Sequence, residues 1–576
     1  MMAGKTRAFT IAGFVLWTCF TAVAGPESPL VTTRPYEFNT DIKLTLEKNS
    51  EVHLTCPPNP HSITEYVLYY RAPKDGEEIA GIKAVFTDNM CTECGIRRES
   101  CEGILQQARY TACLGIMKWQ LHDGRLDVDF CACDDLERSY REYRQYRLEG
   151  KRYRTQYQDR QLVCPVELPE TQRLAGFARF WSEVKFNFPF FDKVPEVNWD
   201  QILIDYLPKV QQAKTDVEYY RVLMRCVALL KDNHTSVWGS TGEAPCRPPI
   251  EIRAVEGKTV VVQVYPADNV RSPELKAELL AAGMKPGDEI THIDGRPVPQ
   301  ILAEDIYPYI AASTPQGLDL NAYPRLAKGE NGSKVKMRVR GVQGEERDVS
   351  LTRGYYDFPK DKVPFLRELE GGIVQVNLDS FQSDRVVKQF EEAFDKILRA
   401  KGLILDVRDN GGGNSGFGDS ILSTLIDRPA KGFRWKTRQY LPMFRAFDQA
   451  ELWFAGSPGT VEPSRGKHYQ GPVVVLTGPA TGSAAEDFVV VFQASGRGKV
   501  VGQRTNGSTG QILTVDLPGG GGFRVCTKWC SYPDGREFVG IGVIPDVEVN
   551  PTRRDIADGR DAVLEAALQV LRSQKS

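Results

Sequence analysis

The sequence predicts a multidomain α+β chain that ends in an α/β core, and three patterns carry this expectation. In residues 354–576 short apolar runs alternate with amphipathic helical stretches, as a strand–helix layer requires. In residues 25–165 apolar and polar residues alternate over spans such as 42–46, 52–54 and 126–130, the pattern of half-buried strands. In residues 166–246, Leu174, Phe177, Phe180, Trp181, Val184 and Phe188 recur at helical spacing and read as core. At 576 residues the chain has room for about three or four domains of ~150 residues each.

Residues 1–24 read as a secretory signal peptide. Lys5 and Arg7 form a positive start, residues 9–24 are apolar, and Ala22-Val23-Ala24 offers a cleavage site after Ala24. The expected location is therefore exported (periplasm, cell envelope or extracellular), with no stable membrane insertion after cleavage. Of 13 cysteines, Cys19 leaves with the leader, and eight of the remaining twelve fall in the 25–165 module. An even number in an exported chain predicts disulfides. Cys91-x-x-Cys94 with Cys131-x-Cys133 fits no zinc-finger spacing, so no metal and no cofactor are expected. The composition is 41% hydrophobic and 26% charged with a net charge of −2, which argues against a dedicated nucleic-acid partner. Residues 136–160 interleave Arg and Tyr, but acidic residues dilute the charge, and an amphipathic helix is the expected form.

In the 247–353 region, AGMKPGDEITHIDGRPV (282–298) supplies a helix end, a Pro-Gly turn, an alternating strand and an Asp-Gly turn. This stretch resembles a PDZ domain, which implies a β-rich module that takes up C-terminal peptides by strand addition. Residues 299–328 look like an insertion, and no glycine loop for a peptide carboxylate is evident. In the core, GPVVVLTGPATGSAAEDFVVVFQASG (471–496) reads as a buried strand, a small-residue turn and a helix beginning at Ser483. Ser483-x-x-Glu486 is a capping-box pattern. A serine at a helix N-terminus, beside free amides and the positive dipole end, suits a nucleophile next to an oxyanion site. About 70 residues upstream, GLILDVRDNGGGNSGFGDSIL (402–422) holds three successive glycines whose turn leaves amides open to a ligand.

Four stretches in order, LILDVRDNGGG, GSAAEDF, GQRTNGSTG (502–510) and GIGVIPDVEV (540–549), resemble peptidase family S41, the C-terminal processing or tail-specific protease family. That resemblance implies a crotonase/ClpP-like fold for 354–576 and a serine-type peptidase with Ser483 as nucleophile. Ala484 and Gly412 would supply the oxyanion amides. The bacterial branch places a base lysine where this chain has Ser508, and a hydroxyl cannot be that base. Lys231-Asp232-Asn233-His234-Thr235 matches instead the histidine segment of the tricorn-like branch, so His234 is the expected base. The third member is expected at Glu537, taken to lie on one strand face with Val539, and Asp546 is read as capping a turn. Ser508→Ala is then expected to cost little, and the acid limb of activity to fall between about pH 6 and 7.5. Cys526 and Cys530 are spaced to pair beside the site. The implied substrates are unfolded or C-terminal peptide segments of proteins; a non-catalytic ligand- or peptide-binding protein on the same fold is the alternative. No G-x-S-x-G, P-loop or H-E-x-x-H occurs.

Overall fold

In the computed structural model the strand segments between residues 30 and 132 are described as backbone, and residues 168–239, 246–266, 273–354, 364–447, 449 and 452–573 in full apart from the side chains of 273 and 274. The leader, the 136–160 segment and the side chains of the eight cysteines in 25–165 lie outside the described residues. The chain divides into two compact units, Met1–Asp159 and Arg160–Ser576.

The first unit contains β1 (Leu30–Pro35), β2 (Asp41–Glu47), β3 (Ser50–Thr55), β4 (Ile63–Arg71), β5 (Ile79–Phe86), β6 (Cys91–Arg97), β7 (Leu114–His122) and β8 (Arg125–Ala132). They form a five-stranded sheet ordered β1-β3-β4-β5-β6 and a three-stranded sheet ordered β2-β8-β7. The alternating stretches at 42–46, 52–54 and 126–130 fall in β2, β3 and β8.

The second unit opens with α1 (Glu170–Asn187), α2 (Trp199–Gln212) and α3 (Asp216–Ala228). The helical-period residues Phe177, Phe180, Val184 and Phe188 are fully buried. Asn198 caps α2 by accepting from the amides of Asp200 and Gln201, and Thr215 caps α3. After α3 comes the short strand β9 (Ser236–Trp238).

Residues 246–354 build a second layer with its own core, which includes Ile252, Val261, Ile290 and Val335. Its elements are β10 (Ile250–Val255), β11 (Lys258–Val264), α4 (Pro273–Ala282), β12 (Glu289–Ile293), β13 (Arg296–Pro297), α5 (Pro315–Ala322), β14 (Lys334–Arg340) and β15 (Glu346–Thr352). The sheet runs β10-β11-β12-β14-β15, with β13 paired to β12. The Asp294-Gly295 turn joins β12 to β13 with both φ values positive, 48° and 81°, as a tight hairpin demands.

The rest is the strand–helix layer. Its sheet is ordered β16 (Leu366–Leu369), β17 (Ile373–Asn377), β18 (Gly402–Asp406), then Val473–Thr477, Lys499–Gly502 and Val547–Glu548. All neighbours are parallel except β16 with β17. α6 (Arg385–Arg399) and α7 (Ser415–Ser423) follow β17 and β18. The hairpin pair β19 (Arg434–Gln439) and β20 (Leu452–Gly456) precedes the next sheet strand, β21 (Val473–Thr477). α8 (Ala484–Ser495) follows β21, buried continuously from Ala484 to Phe492, and Gly496 ends it in the left-handed conformation at φ 68°. β22 (Lys499–Gly502), β23 (Ile512–Asp516), β24 (Gly522–Cys526), β25 (Lys528–Ser531), β26 (Val547–Glu548) and α9 (Ala562–Ser573) complete the order. Continuous apolar runs make sense here, because parallel strands covered on both faces have no solvent side.

Two features tie this layer together. Arg408 grips Asp406 at 2.7 Å and Asp561, at the start of α9, at 2.8 Å. The Asp-x-Arg of the glycine motif is thus a clamp between sheet and C-terminal helix. The helical segment also shares the main hydrophobic core with the sheet. Phe180 of α1 packs edge-on against Phe523 of β24 at 5.2 Å, and β9 pairs with β24 in antiparallel register, Val237 opposite Phe523. Among the described residues no helix is long and apolar enough to cross a membrane.

Cys526 and Cys530 do not pair: both are buried free thiols, as is Cys226. The reason is topological. β24 belongs to the sheet of β23 and β9, whereas β25 pairs with β19, and Cys526 turns its sulfur to the carbonyl of Lys528 at 3.3 Å.

Phe180 is the side chain that joins α1 to the layer, so Phe180→Ala should lower unfolding free energy by ~3–5 kcal/mol, read from the denaturant midpoint. A loss under ~1 kcal/mol would mean that the helices are not part of that core.

Candidate active site

The loop 231–235 is shaped by its own polar residues before it meets anything else. Lys231 takes φ 48°, turning the chain out of α3. Asp232, 2% exposed, then accepts from Thr235 Oγ1 at 2.7 Å and from Ser313 Oγ at 3.3 Å. Thr235 Oγ1 also accepts the amide of Cys526, and Arg524 donates to the carbonyl of Asn233 at 3.0 Å. With β9 locked to β24, the position of His234 is set from both sides.

Its imidazole bridges two hydroxyls. Nε2 lies 3.0 Å from Ser483 Oγ, and Nδ1 lies 2.6 Å from Ser508 Oγ. Ser508 Oγ is in turn 3.5 Å from Asp232 Oδ1. The ring meets the cavity on one side and protein elsewhere. Burial pushes its pKa down to about 4; nearby Asp232 pulls upward, and the Arg524 and Lys528 cations add to the downward push. The imidazole is therefore neutral near pH 7, the form a base needs.

Ser483 stands on a strained turn. Its backbone has φ 55° and ψ −126°, a region that L residues avoid at a cost of ~1–3 kcal/mol. The capping box forms by half. The Glu486 carboxylate accepts the Ser483 amide at 3.2 Å, but Ser483 Oγ turns away from the helix end to His234. Glu486, fully buried, also accepts the amides of Gly507 at 2.7 Å and Ser508 at 2.9 Å and the hydroxyl of Thr505. Burial pushes this carboxyl up to about 8, while those donors favour the carboxylate. The Ser483 amide further donates to the Ser508 carbonyl at 2.9 Å. The Ser483 turn and the 505–508 loop are thus one bolted unit. Beside it, Asp487 accepts from Ser415 and Thr509, and burial raises its pKa.

The glycine turn packs directly on Ser483. A Cβ on Gly412, at φ 101°, would meet Ser483 Cβ at 2.6 Å and the Ala484 nitrogen at 2.9 Å. Asn410 shapes this turn, donating to the Leu378 carbonyl at 2.8 Å and accepting the Gly412 amide at 2.9 Å. The Gly412 amide is thus engaged and cannot be the open oxyanion donor expected of it; an Asx-type turn has taken it. The Ala484 and Gly411 amides have no acceptor among the described residues, and Gly411 lines the cavity that holds Ser483 and His234. That cavity, about 240 Å³, is bounded also by Asn233, Asn321, Asp409, Ala480 and Asn506.

Glu537 is placed elsewhere. It pairs with Lys193 at 2.8 Å and is about half exposed, away from His234. The expected strand around it does not form, because Gly535 and Gly540 turn the chain at φ 96° and 83°, so the two-residue periodicity behind that choice is absent. Ser508, expected to matter little, touches the imidazole instead. Asp546 accepts the Val500 amide at 2.8 Å, and His468 sits with Ser464. The insertion in the 247–353 region also reaches the site. Thr314 donates to the Asn506 carbonyl at 2.7 Å, Ser313 holds Asp232 and the Asn233 amide, and Asn321 lines the cavity. Asp232 could have been found from its place in the Asp-x-His-Thr segment; nothing in the sequence marks Ser313 or Asn321.

Residues 372–549 match the model of peptidase family S41. That span contains Ser483, the glycine turn and the 505–508 loop. The chain carries a peptidase family S41 domain. It is similar to tricorn protease homolog 2 of Streptomyces coelicolor, 25% identical over 384 residues that make up 65% of this chain and 30% of that protein. It is similar to the chloroplastic C-terminal processing peptidase of Tetradesmus obliquus, 27% identical over 47% of this chain and 54% of the relative. The carboxy-terminal processing protease CtpA of Bacillus subtilis is 24% identical over 46% and 50%. This chain thus spans between 30% and 54% of the length of these curated relatives. Among solved structures, mature CPAF complexed with lactacystin superposes with a TM-score of 0.54 at 15% identity, covering 70% of this chain and 99% of that one, a likeness of fold.

The strain at Ser483 reverses a usual order. Ser483→Gly should unfold at higher denaturant than Ser483→Ala by about 1 kcal/mol, because glycine relieves the turn that alanine leaves strained. The opposite order would show the turn to be unstrained.

Proposed function

We propose that this chain is an exported serine endopeptidase that hydrolyses peptide bonds of protein substrates through Ser483 and His234. The contact that carries this reading is the 3.0 Å approach of Ser483 Oγ to the neutral His234 Nε2 at a cavity flanked by unengaged amides. His234 Nε2 takes the Oγ proton as the Oγ lone pair attacks the scissile carbonyl carbon, and the carbonyl π pair moves to oxygen. The oxyanion would sit at the Ala484 amide, on the N-terminus of α8, and the Gly411 amide, each donor being worth ~3 kcal/mol of barrier. The tetrahedral adduct collapses to an acyl-Ser483 ester as the imidazolium returns its proton to the leaving amine. Water, activated by the same nitrogen, then releases the acid.

The comparisons support a peptidase, and the names of two relatives support a preference for substrate C-termini. Among the described residues no Lys or Arg lines the cavity, so a free carboxylate would be read outside it, with the PDZ-like residues 247–353 as the reader. An unfolded substrate with a free C-terminus should then show a lower KM than its C-terminally amidated form, at equal kcat. Equal KM values would confine recognition to the scissile bond.

Fluorophosphonate should label the native protein and leave Ser483→Ala unlabelled; labelling of that variant would end the assignment. His234→Ala should lower kcat/KM by ~10³-fold or more. The base works deprotonated, and its folded pKa lies below the ordinary value, so activity should persist as pH falls past 6.5 and disappear through about pH 4. An acid limb of kcat/KM at 6.5 or above would contradict the buried, neutral imidazole.

A further inference from the structure

The imidazole fixes the direction of every hydrogen bond that follows it. If Nε2 accepts from Ser483 Oγ, a neutral ring carries its proton on Nδ1 and must donate it. The group in place to accept is Ser508 Oγ, at 2.6 Å. Ser508 then has one proton of its own to place, and it points to Asp232 Oδ1, 3.5 Å away. Asp232 is buried, accepts two further hydroxyls, from Ser313 and Thr235, and has no ion-pair partner among the described residues. A protonated ring Nε2 would instead be the tautomer that cannot take the serine proton.

Resting on the Ser483–His234 reading above, we propose that Ser508 and Asp232 are positioning residues: a hydroxyl–carboxylate relay that holds His234 in its working tautomer. This relay occupies the role that sequence reasoning gave to Glu537. No proton leaves the ring toward Ser508 during the reaction. As His234 becomes an imidazolium, its Nδ1–H···Oγ bond strengthens, the Ser508 hydroxyl is polarised toward Asp232, and the outer 3.5 Å contact shortens in the charged state. Ser508 is suited to this because its amide is held by Glu486 and its carbonyl by the Ser483 amide, so both hydroxyls that flank the imidazole move with one rigid unit.

The charged and titratable groups around the ring are Asp232 on its own loop, Arg524 of β24, Lys528 of β25, Glu486 behind Ser508 and Asp409 across the cavity. Asp232 is the anion among them whose charge raises the imidazole's proton affinity.

The test measures kcat, KM and the pH profile of full-length Ser508→Ala, Ser508→Thr and Asp232→Asn on one peptide, beside Ser483→Ala and His234→Ala. Ser508→Ala should lose ~10²-fold in kcat with KM unchanged, the loss expected when a catalytic group is misoriented. Ser508→Thr, which restores a hydroxyl, should return to within ~10-fold of the native rate. Asp232→Asn should lower kcat and move the acid limb of kcat/KM to lower pH, since the anion that favours the imidazolium is gone. The relay is overturned if folded Ser508→Ala keeps kcat within ~3-fold, or if folded Ser508→Thr is as slow as Ser508→Ala. It is also overturned if Asp232→Asn leaves the acid limb in place, and that measurement decides alone should Ser508→Ala not fold. Active Ser483→Ala or His234→Ala would sink the underlying reading. Dead Ser483→Ala and His234→Ala beside an active Ser508→Ala would sink the relay alone.

Discussion

The rest of the site depends on one buried carboxyl group. Glu486 sits at the third position of α8, where a capping residue belongs, yet it serves two pieces of chain. On one side it holds the amide of Ser483, on the other the amides of Gly507 and Ser508 and the hydroxyl of Thr505. A fully buried carboxyl is costly unless its acceptor sites are filled, and here backbone amides fill them. The helix N-terminus adds a favourable field. That arrangement sets the spacing between Ser483 Oγ and Ser508 Oγ, and so the slot the imidazole must fit.

What the sequence made legible divides along physical lines. Apolar runs, glycine turns and capping residues are local signals, so β21, α8, the 402–406 strand and the serine turn could be read in place. The short segment around His234 singled that residue out, and its ring lies 3.0 Å from Ser483 Oγ. What could not be read is anything decided by a second chain segment. Gly412 looked open because three glycines leave amides free, but the neighbouring Asn410 side chain folds back onto that amide. Glu537 rested on a strand periodicity that Gly535 and Gly540 interrupt. Ser508 was judged by what it could not do as a base, whereas its hydroxyl faces His234 Nδ1, a fact of tertiary geometry.

The insertion at residues 299–328 shows the same limit from the other side. Its sequence marks only a departure from the PDZ pattern. In space Ser313 and Thr314 brace the histidine loop and the 505–508 loop, and Gln316 donates to the Thr505 carbonyl at 2.9 Å. The layer of residues 246–354 is therefore joined to the loops that line the cavity by these few hydrogen bonds.

His234 and Ser483 are separated by 249 positions, and the loop that holds the imidazole is fixed only when β9 finds β24. Contacts of such long range carry the entropy of closing a large loop, which must be overcome before they form. Until they close, Ser483 and His234 are apart. The pairing of the two side chains is therefore a property of the folded chain alone, and no local stretch of sequence holds it.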